Sequence, residues 1–152
     1  MVDSIKLLDV TEQNAEEIAK HWTMDVQKNK RTTHYRNLKR DVLITQAVDV
    51  YRNLRELLTA PNRAEITLDY FRKYAKNCHD NGIPLHESIY ALVLMRRHMW
   101  LYADFQAIFI NALEHNQAID SIMRIMLMMD YAVYEITQYY LDNMPNESKN
   151  KS

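Results

Sequence analysis

"HDNGIPLHESIYALVLMRRHMWLY", residues 79–102, holds the only glycine of the chain, Gly82, and one of its three prolines, Pro84. Glycine takes the left-handed conformation after a helix end without a Cβ penalty, and proline is tolerated at the first position of a helix, where its missing N–H costs nothing. The stretch therefore predicts a helix that stops just before Gly82, an apolar seal made by Ile83, and a new helix that starts at Pro84.

The rest of the composition extends that reading. With one glycine and three prolines in 152 residues there is almost no punctuation for hairpins, bulges or phosphate-cradling loops. Hydrophobic residues make up 47% and charged residues 26%, as in ordinary globular proteins. A folded chain of this length buries roughly 68–70% of the surface its unfolded form exposes, so one domain with its own core is expected. The fold class expected is all-α, about five helices arranged as a helical bundle or a non-haem globin-like fold. Residues 1–144 are expected to form the domain and 145–152 a mobile polar tail. The single cysteine, Cys78, excludes an internal disulfide, and no basic-then-apolar signal segment opens the sequence, so the expected compartment is the cytoplasm. The longest apolar run, Ile89 to Met95, is far short of the ~20 residues of a membrane span, so no membrane partner is expected.

Helical spacing places a first helix from Thr11 or Asn14 to about Lys28, with Ala15, Ile18, Ala19, Trp22 and Val26 on one stripe. Residues 29–37 read as a connector. A second helix runs from about Leu38 to Leu58. Pro61 stops it, and Asn62 with Glu65 predicts a capping box for a third helix, whose stripe is Ala64, Leu68, Phe71, Ala75 and Cys78. The fourth helix is expected over Pro84 to Leu113 and the fifth over Gln117 to Met144.

The fourth helix is apolar on two sides: Leu85, Ile89, Leu92, Met99, Ala103 and Ile110 on one, and Ala91, Leu94, Met95, Leu101, Tyr102 and Phe105 on the other. Such a helix is either central or in contact with a second chain. The fifth has the apolar set Ile119, Ile122, Met126, Met129, Val133, Ile136 and Tyr140, joined by Leu127, Met128, Tyr131 and Tyr134 on other faces. A homodimer through these last two helices is the expectation, with Met95, Tyr102, Met126, Met129, Val133 and Tyr140 as candidate interface residues; the alternative is a monomer with a central fourth helix.

Two polar side chains interrupt these stripes. Arg96 is flanked by Leu92, Val93, Met99 and Trp100, and a guanidinium there calls for an internal carboxylate, an anionic ligand, or a stem long enough to reach water. His98 is the one histidine with mostly apolar helical neighbours, so it is the one candidate haem or metal ligand, the ordinary reading being a hydrogen-bonded core or interface residue. Tyr74, Arg96, His98 and Trp100 are the candidate ligand-binding residues. No Glu-x-x-His pair, HExxH, CxxC, P-loop or nucleophile elbow occurs, so no catalytic residues, no metal and no cofactor are expected. The connector "KNKRTTHYRNLKR", residues 28–40, carries six bases and no acid; the nineteen bases less these six leave thirteen against twenty acids elsewhere. One short patch of this kind reads as a solvated loop, and no nucleic-acid partner is expected.

Phe71, Ala75, Gly82, Leu85, Leu92, Arg96 and Trp100, with Ile18 and Trp22 upstream, give the chain a pattern that resembles the N-terminal sensory domain of the RsbR/RsbRD stressosome co-antagonists and of related bacterial histidine kinases. The resemblance spans roughly residues 8–140. It implies a dimeric, all-helical bacterial input module, usually fused to a STAS or kinase output domain that this sequence lacks. The expected function is a non-enzymatic sensor that binds a small ligand or partner protein and relays it by helix repacking. The alternative is an adaptor that binds a partner helix through its last helix, and a haem sensor through His98 is a third reading.

Overall fold

The computed structural model describes residues 5–105 and 111–145. Among the described residues the architecture is all-helical with no strand: α1 (Ile5–Gln13), α2 (Ala15–Lys28), a short 3-10 helix (Thr33–Asn37), α3 (Arg40–Thr59), α4 (Arg63–Asp80), α5 (Leu85–Phe105) and α6 (Ala112–Asp142). No described helix is long and apolar enough to cross a membrane.

The turn between α4 and α5 forms as the opening stretch predicts. Gly82 has φ +74°, the Ile83 N–H donates to the Cys78 carbonyl at 3.0 Å, and the Ile83 side chain is buried. These bonds satisfy carbonyls that the end of α4 would otherwise leave open. The Tyr140 hydroxyl reaches across from α6 and donates to the Ile83 carbonyl at 2.6 Å, fixing the turn against the last helix.

α5 is the central helix. It packs against α1, α2, α4 and α6, and Ala91, Leu92, Leu94, Met95, Met99 and Ala103 are buried on its different sides. The Trp22 indole of α2 donates to the Ala91 carbonyl and the Tyr51 hydroxyl of α3 donates to the Met95 carbonyl, each at 2.8 Å. Burial on several sides therefore accounts for most of its all-round apolarity.

Several sequence expectations need correction. Among the described residues there are six α-helices where about five were expected, because residues 5–13 form α1, whose Leu7 and Leu8 enter the core. Arg55 of α3 ties α1 down through Asp9 and Glu12. Thr11 is a mid-helix residue whose hydroxyl bonds back to the Leu7 carbonyl, and the Asn14 amide likewise donates to Val10, so neither caps α2. The connector contains the 3-10 helix, pinned by buried Thr32 and Tyr35. Asn62 makes no side-chain cap, and Ala64 is exposed. Ala112 and Leu113 belong to α6: Asn111 caps it by accepting from the Glu114 N–H at 2.8 Å. Ile110, the Phe105 side chain and tail residues 146–152 lie outside the described residues and side chains.

The inward face of α6 only partly coincides with the expected apolar set. It is made of Ala118, Ser121, Ile125, Met128, Met129, Ala132, Ile136 and Tyr139. Of the expected stripe, Ile119 and Met126 are exposed, while Ile122, Val133 and Tyr140 are half-buried. Small residues at 118, 121 and 132 let a helix approach its neighbour closely, and α6 packs most extensively against α4.

Candidate functional site

The candidate ligand residues do not converge. Arg96, His98 and Trp100 are all half-buried on α5, but successive even positions on a helix turn to different sides, and Tyr74 is buried on α4. Arg96 answers no carboxylate among the described residues; its guanidinium lies 3.7 Å from the Met129 sulfur, and its half-buried stem lets the head reach water.

His98 is held by a carboxylate. Its Nε2 lies 2.7 Å from Asp25 Oδ2 on α2, and Tyr102, one turn on, donates to Asn14 Oδ1 at 3.0 Å. His98, Tyr102 and Asn14 wall a groove of about 670 Å³ with Glu17, Ile18, His21, Leu101 and Asp104. A haem iron approaching Nε2 would have to displace Asp25 first. No cluster of three or more His, Cys, Asp or Glu among the described residues is arranged to hold a metal ion.

Tyr74 belongs to a second feature that sequence spacing does not expose. The Tyr35 and Tyr74 hydroxyls are buried without a hydrogen-bond partner that meets normal geometry, and both phenols interact with the Cys78 thiol. Burial pushes the two phenols well above their ordinary value and the thiol up to about 11. The Gln46 amide covers the sulfur at 3.8 Å. A thiol in this setting stays protonated at neutral pH and is no nucleophile. Tyr35 comes from the basic connector, so no helical period could have paired it with Tyr74.

The connector's six bases are all exposed, and the 3-10 helix that carries part of it is anchored by Glu87 of α5. That carboxylate is buried and accepts from the His34 backbone N–H at 2.9 Å, with His34 Nδ1 at 2.6 Å.

Exposed apolar side chains concentrate on the outer face of α6. Of the eleven exposed large hydrophobics among the described residues, eight are on this helix. Ile119, Met123, Met126, Leu127, Tyr131 and Tyr134 form a continuous band, and Leu113 and Leu141 extend it to either end. Only Met126 of the expected interface set is fully on this face. Met95 and Met129 are core residues, and Tyr102, Val133 and Tyr140 are half-buried. The exposed face and the expected set share this helix and its methionine–tyrosine content but lie on different sides, because apolar residues recur on both. Beside Leu127 and Tyr131 the surface dips into a groove of about 980 Å³ against Leu57, Pro61 and Thr67.

Compared with family models, curated proteins and solved structures, the chain matches none.

Proposed function

We propose that this chain is a non-enzymatic helical input module of bacterial signalling that works in the cytoplasm by protein contact, with the outer face of α6 as its contact surface. The single observation that carries the reading is the concentration of exposed large hydrophobics on that one helix, eight of eleven. Monomeric proteins rarely leave so contiguous an apolar band facing water. The resemblance to stressosome sensory domains supports the signalling context and suggests a STAS or kinase type of partner. A small ligand entering the His98 groove is a second reading, favoured by a cleft of about 670 Å³ walled by an imidazole, a phenol and carboxylates.

A photo-reactive phenylalanine analogue placed at Met123 in living cells tests the contact surface, with Met24, exposed on α2, as the control position. Cross-linking at Met123 and not at Met24 is the expected outcome. Absence of any product at Met123 and at Leu127 overturns the reading.

A further inference from the structure

We propose that the cleft between α3 and α4 is a binding site for a linear aliphatic polyamine, with its ammonium ends on Asp41 and Asp49 and its middle over Tyr74. The cleft has a volume of about 550 Å³ and shares no lining residue with the His98 groove or with the groove beside Leu127. No described residue of α6 lines it, so the site is distinct from the contact face.

The carboxylates set the length of the ligand. Asp41 and Asp49 both line the cleft and are exposed, and they stand eight residues apart on α3, about 12 Å along the helix axis. Neither has an ion pair among the described residues. One ammonium group cannot meet two carboxylates that far apart, whereas a chain with a cation at each end can.

The hydrogen bonds set its chemistry. The Tyr70 hydroxyl donates to Asp49 Oδ2 at 2.5 Å, which orients that carboxylate and leaves Oδ1 to accept. The Gln46 amide nitrogen donates toward Asn77 Oδ1 and the Cys78 sulfur, at 3.4 and 3.8 Å, so its carbonyl oxygen is the atom left open. Lys73, the base in the wall, is paired with Asp69 at 3.1 Å. The cleft therefore offers mainly acceptors, and it suits a ligand rich in N–H donors and positive charge. Exposed Val42 and the Tyr70 ring give its methylenes apolar contact.

The floor supplies a second, independent sign. Tyr74 lines the cleft yet is only 5% exposed, and its hydroxyl has no hydrogen-bond partner of normal geometry. A buried hydroxyl costs stability unless a polar atom answers it. Gln46, in the same wall, covers the Cys78 sulfur with which this hydroxyl interacts, so a turn of one amide opens the hydroxyl to the cleft. A secondary amine in the middle of the chain is the atom that would answer it, which separates a triamine from a plain diamine.

Titration of the purified chain with spermidine, followed in amide NMR spectra, tests the proposal. Saturable shifts confined to α3 and α4 are expected, with Asp49→Asn weakening binding roughly tenfold. 1,8-Diaminooctane, of the same length without the inner nitrogen, should bind several-fold more weakly than spermidine, and Tyr74→Phe should erase that difference. The same variant has a second readout: losing an unpartnered hydroxyl should leave the melting temperature of the chain alone equal or higher. No saturable shift with spermidine overturns the proposal, as does equal binding by the Asp49→Asn chain, which would mark diffuse attraction of a polycation to the surface. A Tyr74→Phe chain that melts lower, or that still prefers spermidine, removes the hydroxyl from the site and with it the polyamine assignment.

Discussion

Glu87 accepts from the His34 backbone N–H at 2.9 Å while the His34 ring nitrogen Nδ1 lies 2.6 Å from its other oxygen, so one buried carboxylate joins the basic connector to the start of α5. Its position in the first turn of α5 also places negative charge at the positive end of the helix dipole. Glu87→Ala leaves a backbone N–H without its acceptor and is expected to cost roughly 1–3 kcal/mol. Urea unfolding of the variant measures this. Glu87→Gln, which keeps an oxygen for the N–H, should lose less; equal losses would show that the carboxylate's acceptor role is not what holds the connector.

Trp22 and Tyr51 grip α5 by carbonyls one turn apart, at Ala91 and Met95. Tyr51→Phe removes only a hydroxyl and should cost roughly 0.5–1.5 kcal/mol, the net worth of one hydrogen bond. Trp22→Ala, which also empties a fully buried site, should cost roughly 3–5 kcal/mol. Melting temperatures in the same buffer rank the two, and a Tyr51→Phe loss as large as that of Trp22→Ala would contradict the geometry.

Cys78 gives a pH dependence with a definite sign. The folded thiol is raised to about 11 from an ordinary 9.0, chiefly by burial. Below pH 9 both folded and unfolded chains keep the proton, so this stability is fully present. Between pH 9 and about 11 the unfolded chain sheds it first, and stability falls as pH rises, by roughly 2–3 kcal/mol at about 1.4 kcal/mol per unit. Tyr35 and Tyr74, also raised by burial, extend the loss to higher pH. Thermal melts across this range should show the decline, and Cys78→Ala should flatten its first part. A thiol reagent should label the native chain far more slowly than the urea-unfolded one.

Arg96→Met should leave thermal stability within about 1 kcal/mol, since the guanidinium answers no carboxylate and a methionine keeps most of the stem's packing. A loss of several kcal/mol would mean that the charge has a partner in the folded protein.

Gly82, Pro84 and Ile83 were legible because a left-handed cap and a helix start each demand particular residues. The stripes of α2 and α3 were legible because each has one apolar side. α1 was not, since it is only nine residues long and Thr11 imitates a cap while bonding within the helix. On α6 periodicity was present but ambiguous: Met126 and Met129 both fit a helical stripe, and only the small residues Ala118, Ser121 and Ala132 mark the side that docks. The polar cluster of Tyr35, Tyr74 and Cys78 joins residues from separate elements, which spacing along one element cannot reveal.

The two carbonyl grips on α5 set the mechanics of the molecule. Held from α2 through Ala91 and from α3 through Met95, α5 is a fixed shaft, and it cannot rotate without breaking both bonds. Toward α6 its Arg96 reaches a methionine sulfur at 3.7 Å. α6 is held instead along α4, against which it packs most extensively, and near its end by the Tyr140 bond to the Ile83 turn.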